Sequence, residues 1–163
     1  MNVYYIADVR SVLGRSPALP GGVAVRPIAE TDIPALAGTF LRAYGPAAAG
    51  NLDDAVAEMA SAFKGTWGVL WPEASPGAWK GDELVGAVQS VRRAPWEDAP
   101  ACPWLIDVFT DPLHRRAGIA RALIAVACRV LDAAGEPCVG LTVDDANAAA
   151  LALYKSLGFS EAT

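Results

Sequence analysis

The later half of the chain alternates two kinds of segment, and that alternation restricts the fold more than any other feature. Trp104–Thr110 is an apolar run with one acid, Asp107, and reads as a buried strand. Residues 118–134 form an amphipathic helix. Ile119, Leu123, Val126, Ala127, Val130 and Leu131 share one side, while Arg121, Arg129 and Asp132 lie on the other. Gly135 stops this helix and Pro137 follows. Residues 139–143 read as strand again. Residues 147–157 form a last helix, with Leu151, Tyr154 and Leu157 on one face and Gly158 at its end. A strand–helix–strand–helix run buries its apolar faces only by laying helices on a sheet, so the class is α+β or α/β.

The earlier half supplies further elements. Residues 23–28 are β-rich. Thr31 or Asp32 caps a helix with Pro34 in its first turn, running to Tyr44 and stopping at Gly45-Pro46. A second helix covers residues 53–63, with Val56, Met59, Ala60 and Phe63 at helical spacing. Residues 65–76 are turn-rich. Residues 78–80 and 84–91 form a hairpin around Gly81-Asp82. Residues 92–103 hold Pro95, Pro100 and Pro103 and read as a loop. The expected order is β-α-α-β-β-β-α-β-α. Residues 1–22 stand apart as an extension, strand-like at 3–6 and linker-like at 16–22, and the domain proper covers 23–163. The chain stops four residues after Phe159, so a final strand is short or missing. Residues 3–6 could cover the sheet edge this exposes, or a second copy could, as a homodimer.

Composition narrows the function classes. With 53% apolar and 19% charged residues, the chain can build a core, which excludes wholesale disorder. Its longest apolar runs, 122–128 and 148–154, fall far short of the ~20 residues a membrane-spanning helix needs, so no membrane partner is expected. The N-terminus lacks the basic start and long apolar stretch of a secretion signal. Cys102, Cys128 and Cys138 are an odd set without CxxC spacing in a chain too large to need staples. That fits reduced thiols in a cytoplasmic protein. With His114 the sole histidine, no metal site is expected. A net charge of −5 argues against nucleic-acid binding.

The chemistry-bearing segment runs from Val108 to Arg121. A strand ends, a short turn follows, and a helix opens on small residues: Ala117, Gly118 and Ala120. The start of a helix presents unpaired N–H groups and about half a positive charge. Small residues let a phosphate approach that backbone, and Arg115, Arg116 and Arg121 add charge. The P-loop and the dinucleotide fingerprint are both absent. The spacing Arg115-x-x-Gly118-x-Ala120 resembles the acetyl-coenzyme A signature of the GNAT acetyltransferase superfamily, Q/R-x-x-G-x-G/A. Residues 141–159 are similar to the other hallmark of that superfamily: strand, Asn147, an Ala-rich turn into helix, Leu153-Tyr154, then Gly158-Phe159. The opening Val25-Arg26-Pro27-Ile28 with Thr31, Asp32 and Pro34 is similar to its first strand and helix. The resemblance covers about residues 23–160.

The resemblance implies a mixed, mostly antiparallel sheet flanked by helices, whose two central strands splay apart after a bulge. Acetyl-coenzyme A would lie in the gap. Its pantetheine arm would pair with backbone at Val108, Phe109 and Thr110, and its pyrophosphate would meet Arg116, Ala117, Gly118, Ile119, Ala120 and Arg121. Asn147 would approach the pantetheine. Tyr154 would protonate the departing thiolate, since a phenol with a pKa near 10 keeps its proton at neutral pH. The structural alternative for Tyr154 is a ring packed on the helix's apolar face. Some members carry a Glu where this chain has Thr142. Asp107 is therefore the first candidate for the base that takes the amine's proton, with a structural carboxylate as its alternative. Asp144 and Asp145 come second, and turn and capping chemistry is favoured for them. His114 reads as a solvated loop residue. Trp67, Trp71 and Trp96 line an acceptor pocket or fill core. The implied activity is N-acetyl transfer from acetyl-coenzyme A to a primary amine of a small molecule or peptide. The alternative is a catalytically weak or inactive coenzyme A-binding regulatory module: the absence of that Glu favours it, whereas Tyr154 and Asn147 favour the active enzyme.

Overall fold

A computed structural model describes residues 1–15 and 18–163. The linker reading of 16–22 therefore falls partly outside the described residues, at Ser16 and Pro17. Seven strands form one sheet. They are β1 (Asn2–Asp8), β2 (Ala24–Pro27), β3 (Pro76–Lys80), β4 (Glu83–Val91), β5 (Trp104–Thr110), β6 (Cys138–Asp144) and β7 (Ser160–Glu161). Their spatial order is β2-β3-β4-β5-β6-β1-β7. Only β5 and β6 run parallel; the other neighbours are antiparallel. A parallel pair needs a crossover. It is supplied by α5 (Ile119–Ala133), the amphipathic helix expected from the sequence.

The helices lie on the sheet in two groups. The first comprises α1 (Val9–Leu13), α5 and α6 (Ala148–Ser156). Val9, Val12, Leu123, Ile124, Leu131, Tyr154 and Leu157 share one apolar cluster with Val85, Val88, Leu105 and Leu141 of the strands. The second comprises α2 (Ile33–Tyr44) and α4 (Leu52–Phe63), whose Leu36, Ala37, Ala55 and Met59 pack with Ile28, Leu84, Ala87 and Phe109. A four-residue helix, α3 (Pro46–Ala49), joins them. Local chemistry sets the ends. Asn51 and Asp54 cap α4 reciprocally, with Asn51 Oδ1 accepting from the Asp54 N–H at 2.8 Å and Asp54 Oδ2 from the Asn51 N–H at 3.0 Å. Asn147 caps α6 by accepting from the Ala150 N–H at 3.1 Å.

The sequence did not show α1 or α3, nor the full length of β1. Residues 9–13 form α1 because the Asp8 carboxylate accepts the Ser11 N–H at 3.0 Å and caps the turn. Residues 2–8 form β1, paired along its length with β6 and carrying β7 on its outer side. The cysteines also differ from the expectation of free thiols: Cys102 and Cys138 form a disulfide, with Cα atoms 5.6 Å apart. The reason is topological. Trp104 faces Gly140 across the parallel pair, so the residues two before each are neighbours. Cys128 is free and buried in α5.

Candidate active site

β5 and β6 pair only at Trp104–Gly140 and Leu105–Leu141, then diverge. Two local features accompany the divergence. On β4, Gln89 faces Asp107 and Ser90 faces Leu105, so Ile106 is an extra residue in β5. Such a bulge bends its strand and re-aims its side chains. Here the consecutive residues Ile106 and Asp107 line one cavity, which regular alternation along a strand would forbid. At the point of contact, a Cβ on Gly140 would overlap the Trp104 ring. Glycine there lets the indole lie flat on β6, and Trp104 Nε1 donates to Thr142 Oγ1 at 3.1 Å.

The divergence opens a cleft of about 550 Å³. Its walls include Val108, Phe109 and Thr110 of β5, Thr142 and Asp144 of β6, and Asn147 and Tyr154 of α6. Past Leu105 that edge of β5 has no strand partner, so the backbone of 108–110 is a template for an extended amide-bearing ligand. Arg115 and Ala120 also line the cleft. An adjoining cavity of about 280 Å³ is lined by Glu58, Trp67, Gln89, Trp96, Ile106 and Asp107, among others. Thr142 borders both spaces.

Asp107 and Tyr154 come together around a residue that sequence reasoning missed. Tyr44, the last residue of α2, donates its hydroxyl to Asp107 Oδ1 at 3.1 Å and lies 3.3 Å from the Val108 carbonyl oxygen. Burial pushes the Asp107 carboxyl up to about 7. The Tyr44 hydroxyl pulls against this, the Glu58 carboxylate adds to it, and the Val108 N–H pulls back. Tyr154 is 8% exposed, with its ring edge against Phe159 at 5.9 Å between centroids. Burial, and next the Asp107 carboxylate, push its phenol up to about 12. At neutral pH Tyr154 therefore holds its proton while Asp107 is poised between its two states.

The anion cradle is mainly backbone. Gly118 precedes α5 at φ +80° and Arg116 adopts φ +63°, and no side chain caps the helix. Its first N–H groups have no carbonyl one turn back to receive them. The arginines are partly engaged. Arg115 donates to the Ala43 carbonyl oxygen at 2.7 Å, and Arg121 to Ser156 Oγ. Arg116 and Ala117 are exposed at the turn, while the Ile119 side chain is buried in the core, leaving only its amide to face a ligand. Asp144 is held by the Ala146 N–H at 3.0 Å and the Met1 ammonium at 3.1 Å, which keep its carboxyl below the ordinary range. Asp145 pairs with the same ammonium at 3.0 Å. His114 sits in a short 3-10 turn after β5 and lines neither cavity. Of the tryptophans, Trp67 and Trp96 line the smaller cavity. Trp71 is core, with Arg92 stacked 3.7 Å from its centroid. Tyr44, Glu58 and Gln89 carried no sequence signal, because each reaches the site through tertiary packing alone.

Comparison with known proteins gives a consistent result. The acetyltransferase (GNAT) family description matches residues 47–159, more than half of the chain. The [ribosomal protein bS18]-alanine N-acetyltransferase of Escherichia coli K12 is 44% identical over 59 residues, which are 36% of this chain and 40% of that protein. The match therefore spans about two fifths of that relative's length. The crystal structure of the ribosomal-protein-S18-alanine N-acetyltransferase from Escherichia coli superposes with a TM-score of 0.67 at 26% identity, covering 86% of this chain and 79% of that one. Aminoglycoside N-acetyltransferase AAC(6')-Iy in complex with CoA superposes with a TM-score of 0.67 at 19% identity, covering 86% and 90%. At that identity the likeness concerns the fold.

Proposed function

The chain belongs to the acetyltransferase (GNAT) family, and from that premise we propose that it transfers an acetyl group from acetyl-coenzyme A to a primary amine of a small molecule or peptide. The observation that carries this reading is the fork between β5 and β6. One cleft there is lined by an unpaired strand edge at 108–110, by Ala120 in the first turn of a helix that no side chain caps, and by a buried phenol at Tyr154, beside a carboxylate-bearing cavity. The amides from Arg116 to Arg121 would hold the pyrophosphate. Val108, Phe109 and Thr110 would pair with the pantetheine amides, and Asn147 would border them.

The acceptor amine would enter the cavity that holds Asp107. An alkylammonium has no lone pair, so the proton must leave before the nitrogen attacks the thioester carbonyl. Asp107, in its ionised form, would take that proton directly or through water. The C–N bond forms, the C–S bond breaks, and the leaving sulfur takes a proton from Tyr154; the surplus proton on the new amide nitrogen would return to the Tyr154 phenolate, directly or through water, and Asp107 would release its proton to solvent. Tyr44 would hold the Asp107 carboxylate in place. Calorimetry with coenzyme A tests the binding half of this reading, and acetyl transfer to an amine panel tests the rest. Tyr154→Phe is expected to lower kcat by about 100-fold or more with the Kd for coenzyme A little changed. No heat of binding from folded protein would overturn the assignment, and unchanged kcat would remove Tyr154 from the chemistry.

One observation favours the second reading, a coenzyme A-binding regulatory module. Thr142 stands where some members carry Glu, and its hydroxyl is taken by Trp104. Binding without turnover on any amine would select that reading. The name of the Escherichia coli relative makes a peptide with an N-terminal alanine the first acceptor to try.

A further inference from the structure

The Asp107 cavity does not end at Trp96. Asn2, Trp96 and Thr142 also line a second space, of about 380 Å³, whose other walls include Tyr4, Asp98 and Glu161. The two spaces share these three residues as common walls, so they are neighbouring lobes on one stretch of surface, with Trp96 bordering both. Each lobe holds two carboxylates, Glu58 and Asp107 in one and Asp98 and Glu161 in the other, and among the described residues no Lys or Arg lines either. Asp98 is set in place rather than free: its Oδ1 accepts from the Tyr4 hydroxyl at 3.0 Å, and the Tyr4 ring stacks on Trp96 at 6.0 Å. An independent observation points to a guest in the near lobe. Gln89 is 1% exposed and lines it, yet its Nε2 has no hydrogen-bond partner among the described residues. A buried amide donor left alone costs free energy that a ligand oxygen would recover.

We propose that this groove selects acceptors carrying three features: the primary amine to be acetylated, a hydrogen-bond-accepting oxygen beside it for Gln89, and a second positive charge for the Asp98–Glu161 lobe. The inference rests on the acetyl-transfer reading for which end of the ligand reacts, but not for its binding. Trp96, bordering both lobes, offers a π-face to a cation passing over it. A carboxylate-bearing acceptor is rejected, because the groove would place like charges together. Two sources present this chemistry, a basic peptide with a free N-terminus and an amino sugar with several amines.

The test compares matched pairs by equilibrium binding in the presence of coenzyme A, and separately by kcat/KM. Ala-Lys-amide is set against Ala-norleucine-amide, and neamine against glucosamine. At least one of the more highly charged compounds, the dication Ala-Lys-amide or the tetraamine neamine, is expected to bind about tenfold or more tightly than its monocationic partner at low salt, with the preference shrinking in 0.5 M NaCl. The arm that shows the preference names the source. Asp98→Asn and Glu161→Gln, singly and together, are expected to bring that ratio toward one. Both are exposed, and both substitutions keep the side chain's shape and hydrogen-bonding capacity. Equal binding of dication and monocation by the wild type overturns the proposal, whether or not turnover is seen. A dication preference without turnover keeps the groove and overturns the acetyl-transfer reading instead.

Discussion

Asp107 is where most of the site's forces meet. Its carboxyl is raised to about 7 by burial, while the Tyr44 hydroxyl holds it lower than burial alone would. If it takes the amine's proton, kcat/KM rises with pH along a limb centred near 7. Asp107→Asn is expected to abolish that limb, and Tyr44→Phe to move it to higher pH, because the hydrogen bond that favours the ionised form is gone. A limb unmoved by either substitution would assign it to another group. The same shift has a stability consequence of opposite sense. The folded state keeps this proton above the ordinary value of 3.8, so the group's contribution is fully present below that pH. It is lost as pH rises through 7. Asp107 stood out from the sequence because it is the lone acid on an apolar strand. Its partner Tyr44 did not: a Tyr before Gly45-Pro46 looks like any helix end, and 63 residues separate the pair.

At the level of elements, the fork depends on a contact between a large and an absent side chain. The Trp104 indole is fully buried and lies where a Cβ of residue 140 would be. Gly140→Ala is expected to displace the ring from Thr142 and to destabilise the fold by about 1–3 kcal/mol, the range for overpacking a filled core. Denaturant unfolding of the variant checks this, and an unchanged midpoint would show that β6 yields instead. The regular elements were legible wherever one segment's own pattern decided them: the α5 stripe, the hairpin around Gly81, the last helix ending at Gly158. The bulge at Ile106 was not, since it is a mismatch between two strands rather than a property of one. The resemblance implied a bulge in this strand without saying which residue it would be. The Cys102–Cys138 disulfide was hidden for the same reason: it follows from the register of β5 on β6.

Across the molecule, the sheet is closed on one side by the chain's own beginning. β1 lies between β6 and β7, and α1 packs on α5, with Val9 and Val12 fully buried. The strand that forms one wall of the fork is thus propped from its outer side by residues 2–8. Removing residues 1–13 would expose the β6 edge and strip two valines from the core. Such a chain is expected to lose cooperative thermal unfolding or to aggregate. A truncated protein that melts as sharply as the full one would show that β1 is dispensable. Sequence reading found a strand at 3–6 and offered the exposed sheet edge as one place for it, with a second copy as the alternative; it could not choose or name β6 as the neighbour, because alternation along a strand names its faces and not its neighbours.

Thr142 borders both chambers, yet the two are otherwise walled by largely different residues. Such a layout is two rooms with one common post rather than a single seat. On the proposed reaction, a donor lodged in one room would leave the other free for its recipient, so neither visitor would have to depart before the next arrives. The handover would then need no courier attached to the protein in between.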